Sequence, residues 1–257
     1  MRSVRLESDG PVRHIVLDAP KRRNALTVKM LDELAEAVAR VATDPAARAL
    51  VIRAEGKAFC AGADIHGLFG DLNRPTSQIR DDLKHVYGSF LGVADLAIPT
   101  IAAVSGIAVG AGVNIALACD IVIAGPGAAF AVTFADIGLH PGGGSTWFLT
   151  RRMGADRALA AIIAAETIDA ESGLRHGLVT QLVDDPVKVA TALAHQAAGR
   201  DPGLIRDAKR AVQIAETSEL PEVLEFESWA QAASVGRPDF AEFVERFTKH
   251  GRGRHPA

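Results

Sequence analysis

The sequence has few cysteines: only Cys60 and Cys119 occur among its 257 residues. Two cysteines cannot form a disulfide framework, and neither stands in a CxxC pair or in a Cys/His spacing typical of zinc. We therefore expect no metal site and a reducing, cytoplasmic setting. The N-terminal segment also lacks the apolar stretch of a signal peptide, so we expect none.

The chain also lacks an excess of positive charge and a long apolar run. Lysine and arginine total 28 and aspartate and glutamate total 31, which gives a net charge of −3. Nucleic-acid-binding domains usually concentrate a basic excess on one face, so we expect no nucleic-acid partner. The basic stretches Lys21–Arg23 and Arg252 with Arg254 could at most hold a small phosphorylated ligand. No uninterrupted run of about 18 apolar residues occurs, so we expect no membrane span.

Two glycine-containing motifs resemble nucleotide or hydrolase signatures but are incomplete. Gly110-Ala111-Gly112 lies between a predicted strand and helix, yet Ile115 stands where a dinucleotide fingerprint needs its third glycine. The segment Gly142–Ser145 has no lysine before its serine, so the chemistry of a phosphate-binding P-loop is missing. Trp147 breaks the nucleophile-elbow pattern GxSxG at its last position. These nucleotide and hydrolase classes are therefore not favoured.

Short strands alternate with helices along most of the chain. Apolar runs predict five strands, at 12–17, 48–53, 98–104, 121–124 and 179–183. After Thr27 the apolar residues follow a helical period, and a helix of small residues is predicted at 111–118. The polar stretch 66–82 is interpreted as an irregular surface loop.

Beyond residue 145 the pattern is mostly helical. Pro221 and Pro238 suit the first turn of two further helices. We see no low-complexity linker and no clear internal repeat in the sequence. The prediction is an α/β protein with one core in residues 1–200 and a helical region in residues 201–257.

Three segments rich in small residues indicate a ligand site: Lys57–Ile65, Ala103–Gly112 and Ile137–Ser145. Small side chains let a ligand approach the backbone closely. The second segment leads directly into a helix, whose free N–H groups favour developing negative charge. Two such donors aimed at one carbonyl would form an oxyanion hole. The alternative interpretation is tight packing of strand on helix with no ligand.

The same motifs resemble the crotonase family of enoyl-CoA hydratases and isomerases over nearly the whole chain. The resemblance rests on PKRRNAL at 20–26, FCAGADI at 59–65, VSGIAVGAG at 104–112, Cys119-Asp120, and the C-terminal segment from Asp239 to Lys249. It implies a superhelix of ββα turns with a C-terminal helical trimerisation region. It also implies an acyl-CoA thioester as ligand, no separate cofactor because coenzyme A is part of the substrate, and a homotrimer or hexamer.

The resemblance assigns ligand contacts to particular residues. The backbone N–H groups of Ala63 and Ala111 would hold the thioester oxygen. A hooked coenzyme A would lie across Ala61, Asp64, Ile65 and His66. Its phosphates would meet Lys21, Arg22, Arg23 or Lys249, although each of these bases could also be a solvated surface charge.

The carboxylates that this family normally uses are missing from the sequence. The two glutamates of the hydratases correspond to Asn114 and Phe134, and the acid of an isomerase subgroup corresponds to Gly142. An amide cannot accept a proton at neutral pH. General acid–base help is worth roughly 10²–10⁴-fold per group, so ordinary hydration is expected to be slow. Phe134 and Gly142 are then interpreted as lining for the acyl chain.

Other side chains could replace the missing acids. His140 lies in the loop expected near the acyl group, and histidine is a common general base. Asp136 lies two residues from Phe134, although such an aspartate often only caps a turn. His66, Asp81, Asp82, His85 and Tyr87 form a weaker set in or beside the variable region 66–90. We predict an acyl-CoA enzyme of fatty acid metabolism with an atypical catalytic set; the alternative is a catalytically inactive acyl-CoA-binding protein.

Overall fold

The computed structural model describes residues 2–71 and 73–251. The chain divides into two compact units, Met1–Ala198 and Gly199–Ala257, and each is described by itself. The α/β fold class is confirmed.

The first unit is built from repeats of two strands followed by helical structure. The first repeat contains β1 (Val4–Asp9), β2 (Val12–Leu17) and α1 (Val28–Thr43). The second contains β3 (Ala49–Ala54), β4 (Ala58–Cys60), α2 (Ile65–Phe69) and α3 (Thr76–Leu91). The third contains β5 (Thr100–Val104), β6 (Ile107–Val109) and α4 (Ala111–Leu117).

The fourth repeat begins with β7 (Ile121–Ala124) and β8 (Ala129–Ala131) and continues through a 3₁₀ turn, Ala135–Ile137, to α5 (Ser145–Met153). The unit ends with α6 (Ala155–Ile163), β9 (Thr167–Asp169), α7 (Ala170–Arg175), β10 (Gln181–Leu182) and α8 (Pro186–Ala198).

The strands of successive repeats form two sheets. The larger sheet has the order β1-β2-β3-β5-β7-β10, and only β1 and β2 pair antiparallel in it. The smaller sheet has the order β4-β6-β8-β9, with β8 and β9 antiparallel. In the second to fourth repeats, the first strand therefore enters the larger sheet and the second enters the smaller one.

Helix α1 forms because its apolar residues repeat with the helical period. Its buried residues are Met30, Leu31, Leu34, Ala37, Val38 and Val41. The Thr27 side chain caps the helix by accepting a hydrogen bond from the Met30 N–H at 3.2 Å. The helix predicted after Thr27 is therefore confirmed.

The interpretation of residues 66–82 as an irregular loop is wrong. Helix α2 begins there under the cap of Asp64, and α3 begins at Thr76. The apolar stripe of α3 runs through Ile79, Leu83, Val86 and Phe90, and most of it lies beyond the polar stretch from which the loop was predicted. The stretch 66–82 contains only Ile79 of these four apolar residues, which is too few to show a helical period.

His14 lies on the face of the larger sheet that packs against α8. Val12, Val51 and Ala190 form a buried cluster on that face, and His14 shares the side of β2 with Val12 because strand side chains alternate. Only 7% of His14 is exposed, and its Nδ1 has no hydrogen-bond partner among the described residues. Burial, with a smaller contribution from Arg53, lowers the pKa of His14 below its usual 6.5.

This lowered pKa predicts a pH-dependent stability. As the pH falls through 6.5, the unfolded chain takes up a proton at His14 before the folded chain does, so the free energy of unfolding decreases. The change His14→Gln should reduce that loss. Urea unfolding of both proteins at pH 8 and at pH 5.5 measures it, and equal losses in the two proteins would contradict the prediction.

The second unit contains α9 (Pro202–Ala215), α10 (Leu220–Val235) and α11 (Pro238–Gly251). The Asp201 side chain caps α9 by accepting from the Leu204 N–H at 2.8 Å, and Arg237 donates to Asp207 at 2.9 Å. The two predicted helix starts are confirmed, since Pro221 and Pro238 lie in the first turns of α10 and α11. Among the described residues, no helix combines the length and apolar composition needed to cross a bilayer.

Candidate active site

Two glycine-containing segments of the first unit cross at backbone distance. Gly62 has a positive φ of 86°, and a Cβ on it would stand 2.7 Å from the Val109 carbonyl oxygen. A Cβ on Gly112 would stand 2.5 Å from the Cys60 carbonyl oxygen. Only glycine fits at these two positions. The crossing places Ala63 and Ala111 each directly beside one of these glycines.

The N–H groups of Ala63 and Ala111 are free to bind a ligand. Neither donates to another described residue of the chain. The segment of Ala63 is anchored by Leu26, whose N–H donates to Gly62 at 2.8 Å and whose carbonyl accepts from Asp64 at 3.0 Å. Ala111 is the first residue of α4, where an N–H has no acceptor within the helix.

The Asn24 side chain links the turn before Leu26 to the start of β4, close to the segment of Ala63. This role was not predicted from the sequence. The side chain is fully buried. It donates to the carbonyls of Glu55 at 3.0 Å and Ala58 at 2.9 Å and accepts from the Ala19 N–H at 2.8 Å. The one signal in the sequence was the position of Asn24 within the motif PKRRNAL. The structure explains its role, because a buried asparagine must satisfy several hydrogen bonds.

Cys60 supports the same segment without being reactive. Its thiol donates to the Asn24 carbonyl at 3.1 Å. Burial raises the pKa of Cys60 to about 12, so the side chain stays a neutral thiol. A buried thiol of this kind packs and donates but is not a nucleophile.

Asn114 lies one turn along α4 from Ala111 and is 1% exposed. Its Nδ2 donates to the Gly142 carbonyl at 2.8 Å. Its Oδ1 is buried and has no partner among the described residues. Leaving a buried acceptor unpaired costs about 1–3 kcal/mol, so this atom is suited to accept a hydrogen bond from a ligand or water.

Phe134 also lies close to the segment that contains Ala111. A Cβ on Gly110 would stand 3.6 Å from the Phe134 ring, and the ring packs against the main core cluster. An aromatic side chain cannot activate water, and the predicted contact of Phe134 with an acyl chain stays a prediction.

The loop Gly142–Ser145 closes this side of the site. The Gly142 carbonyl accepts a second hydrogen bond, from the Ser145 N–H at 3.2 Å. Ser145 is 1% exposed and its Oγ has no described partner. The Tyr87 hydroxyl lies against Gly142, since a Cβ there would stand 2.3 Å from it. From the sequence, Ser145 was included only as the last residue of the third small-residue segment, with no role of its own, and Tyr87 was only one of a weaker set.

His140 and Asp136, the two predicted substitute bases, lie on an exposed segment that follows Phe134. The His140 Nδ1 lies 2.7 Å from the Pro141 carbonyl oxygen. The structure thus does not bring them into the buried group around Asn114, and their catalytic role stays a prediction.

The basic residues predicted to bind coenzyme A lie beside the segment that contains Ala63. Lys21, Arg22 and Arg23 are exposed on the turn before Asn24. The Arg23 carbonyl accepts from the Ala61 N–H at 2.9 Å, which holds this turn against the candidate ligand segment. Arg22 donates to Asp64 at 2.9 Å.

The remaining predicted contacts lie on α2 and in the second unit. The Asp64 carboxylate caps α2 by accepting from the Gly67 N–H. Ile65 and His66 are exposed on the same helix. In the second unit, Lys249 donates to Glu245 at 2.6 Å. Arg252 and Arg254 lie outside the described residues.

Comparisons with known proteins identify the family of the chain. A model of the family "Enoyl-CoA hydratase/isomerase" matches residues 7–252. The chain belongs to the enoyl-CoA hydratase/isomerase family. It is 42% identical over 246 residues to "Probable enoyl-CoA hydratase EchA14" of Mycobacterium tuberculosis, covering 93% of this chain and 94% of that relative.

Two other members of the family match it over similar lengths. The 1,2-epoxyphenylacetyl-CoA isomerase of Escherichia coli is 33% identical, with 91% of this chain and 90% of the relative covered. The crystal structure of an enoyl-CoA hydratase from Bacillus anthracis superimposes with a TM-score of 0.87 at 28% identity, covering 96% of each chain. The predicted crotonase family and fold are thus confirmed, and the chain is an enzyme of the hydratase/isomerase type.

The backbone crossing predicts that Gly112→Ala destabilises this family member. The added methyl would have to push the Cys60 carbonyl away, so we expect a loss of about 1–3 kcal/mol in the free energy of unfolding. The matched control is Gly88→Ala on α3, where an added Cβ meets nothing within 4 Å. That change should be neutral or stabilising, because alanine is the better helix former. Equal unfolding midpoints for the two variants in urea would refute the steric argument.

Proposed function

We propose that the protein acts on 2-enoyl-CoA thioesters in fatty acid metabolism. The observation that carries the proposal is the pair of free backbone donors, the N–H groups of Ala63 and Ala111, at the crossing of the two glycine segments. Donors fixed in this way stabilise the negative charge that develops on a thioester oxygen. Backbone donors also tolerate the replacement of the usual glycine by Ala111.

The coenzyme A portion would lie across Ala61, Asp64, Ile65 and His66. The exposed side chains of Lys21 and Arg23 would meet its phosphates, and Arg22 could exchange its contact with Asp64 for a phosphate. Coenzyme A enters as part of the substrate, so the proposal needs no separate cofactor. Lys249 stays a candidate for a phosphate contact.

The catalytic set would be atypical for the family. Asn114 stands where a glutamate is expected, and its Nδ2 is committed to the Gly142 carbonyl. It can orient a water molecule or a substrate oxygen through Oδ1 but cannot take its proton. Proton transfer would then fall to another group, for which His140 and Asp136 stay the candidates from the sequence.

A homotrimer or hexamer is the assembly that we propose. The second unit leaves many large apolar side chains exposed, namely Leu204, Val212, Leu220, Leu224, Trp229, Val235, Phe240, Phe243, Val244 and Phe247. Monomers rarely expose so much apolar surface in one region. The cytoplasmic setting expected from the two cysteines stays a prediction.

The proposed activity is tested by hydration of crotonyl-CoA and of longer 2-enoyl-CoA esters, and the reaction is monitored as the loss of enoyl absorbance. We expect slow but measurable turnover, with calorimetric binding of the same esters. His140→Ala and Asp136→Ala should each lower the rate if either residue transfers the proton. Binding without turnover at any chain length would contradict the catalytic proposal, and absence of binding would contradict the ligand assignment.

The proposed oxyanion donor of Ala111 is a backbone N–H group, and a single substitution at that residue removes it. Ala111→Pro deletes the N–H at the first position of α4, where proline suits the helix. Loss of one such donor should lower kcat by about 10²–10³-fold. The control is Ala155→Pro at the first position of α6, which should leave kcat within about twofold. A retained rate in folded Ala111→Pro protein, checked by circular dichroism, would exclude the donor.

A further inference from the structure

A cavity of about 280 Å³ lies between the larger sheet and α8. Ala63 and Ala111, the proposed oxyanion donors, do not line it. Its walls carry charged and polar side chains from four elements, namely Glu7 and Asp9 of β1, His14 of β2, Arg53 of β3, and Val187 and Thr191 of α8. The cavity therefore places a group of titratable side chains under α8, apart from the residues assigned to the ligand.

His14 lines this cavity as a nearly buried imidazole whose strand neighbours cannot neutralise a positive charge on it. Glu7 lies directly opposite His14 on β1, but it accepts from Arg5 and from Arg53, each at 2.9 Å. Arg53 also faces His14 from β3 and lowers its pKa. A proton on His14 would therefore add a poorly compensated charge while α8 covers the ring.

The other carboxylate of the cavity, Asp9, is bonded to α8 itself. The His195 Nε2 lies 2.8 Å from the Asp9 Oδ2, and the imidazole donates because a carboxylate only accepts. This hydrogen bond lowers the pKa of Asp9, so Asp9 stays ionised at pH 5.5. The bond becomes stronger when the histidine is charged. It thus holds the C-terminal end of α8 to β1 in neutral and in mildly acid solution.

The rest of α8 is held to the sheet mainly by small side chains. Ala190 and Ala194 are its fully buried members of the cluster on the sheet, whereas Val187 and Leu193 are only partly buried. The Thr191 hydroxyl donates to the Val187 carbonyl of the same helix at 2.8 Å, which leaves it no proton to donate to His14. Since small side chains bury little apolar area, local opening of α8 should cost less free energy than global unfolding.

We propose that α8 is a pH-sensitive element: protonation of His14 in acid releases residues 186–193 from the larger sheet, while the bond between His195 and Asp9 keeps the C-terminal end attached. Opening would bring water to the His14 ring, where a charged imidazole is solvated. Burial lowers the pKa of His14 below its usual 6.5 in the closed form. The open form therefore binds the proton more readily and gains population as the pH falls through 6.5. This inference is independent of the proposed function.

The test is amide hydrogen exchange of the full chain at pH 7.5 and pH 5.5, corrected for the intrinsic exchange rate at each pH. The open fraction measured at the amides of residues 189–193 should rise about fivefold to tenfold in acid; tenfold is the limit for one histidine of pKa 6.5 that titrates only in the open form. Amides of α1 should not show this rise. The change His14→Gln should reduce the rise to less than about twofold.

Two further variants separate the sensor from the attachment. His195→Ala should increase the opening of α8 by roughly twofold to fivefold at both pH values, as expected for loss of an exposed ion pair, and should keep the rise in acid. His85→Gln, at an exposed histidine of α3, should behave as wild type.

Four results would overturn the proposal. They are equal protection of α8 in wild type at the two pH values, a rise that persists in His14→Gln, a rise that disappears in His195→Ala, and an equal rise at the α1 amides. The third would make His195 the sensor, and the fourth would mean that acid only promotes global unfolding.

Discussion

The active-site region depends on one backbone contact, the crossing of the segment Cys60–Asp64 over the segment Val109–Gly112. Gly62 lies against Val109, and Gly112 lies against Cys60, at distances that no Cβ tolerates. The crossing joins β4 of one repeat to the start of α4 in the next. It also leaves two N–H groups, of Ala63 and Ala111, without acceptors in the described chain. The close packing thus comes from the same contact that would supply the proposed oxyanion donors, so the two interpretations of these glycine segments in the sequence do not exclude each other.

Part of the fold could be predicted from the sequence, because α1 has a clear helical period and β2, β3, β5 and β7 contain apolar runs, whereas the six-residue strand β1 was missed. The ββα repeat could not be seen there. Strands β4, β6 and β8 have three residues each, which is too short for alternation to show. Helix α3 was missed because most of its apolar residues lie after residue 82, beyond the polar stretch that was interpreted as a loop. The resemblance to a family supplied what the local pattern lacked, since motif order and spacing survive where periodicity is weak.

The candidate site was predictable where it is built from backbone and less so where side chains meet across the fold. Ala63 and Ala111 were chosen from motifs alone; their N–H groups have no acceptor among the described residues, and their role stays a prediction. Tyr87, Asn114 and Gly142 come together only because α3, α4 and the loop before α5 converge, and no sequence spacing encodes that. His140 and Asp136 were favoured for their chemistry and their nearness to Phe134 in the chain, yet both lie on an exposed segment. Nearness in sequence is a weak guide when the 3₁₀ turn after Phe134 directs side chains outward.

Our proposal that Asn114 stands where the resemblance expects a glutamate concerns what the site can do, and not only how fast it works. A glutamate at this position would be free to exchange protons, whereas the Asn114 amide is fixed by its hydrogen bond to Gly142 and shapes the loop that carries Ser145. In the proposed site, Phe134 beside Gly110 would make the acyl side mainly apolar, with a few fixed hydrogen-bonding atoms. Such a pocket discriminates ligands by whether they satisfy those atoms, because an unpaired buried polar group penalises the ligand that lacks a partner for it. Binding selectivity can therefore persist, or sharpen, while acid–base catalysis weakens, and the two properties have to be measured separately in this chain.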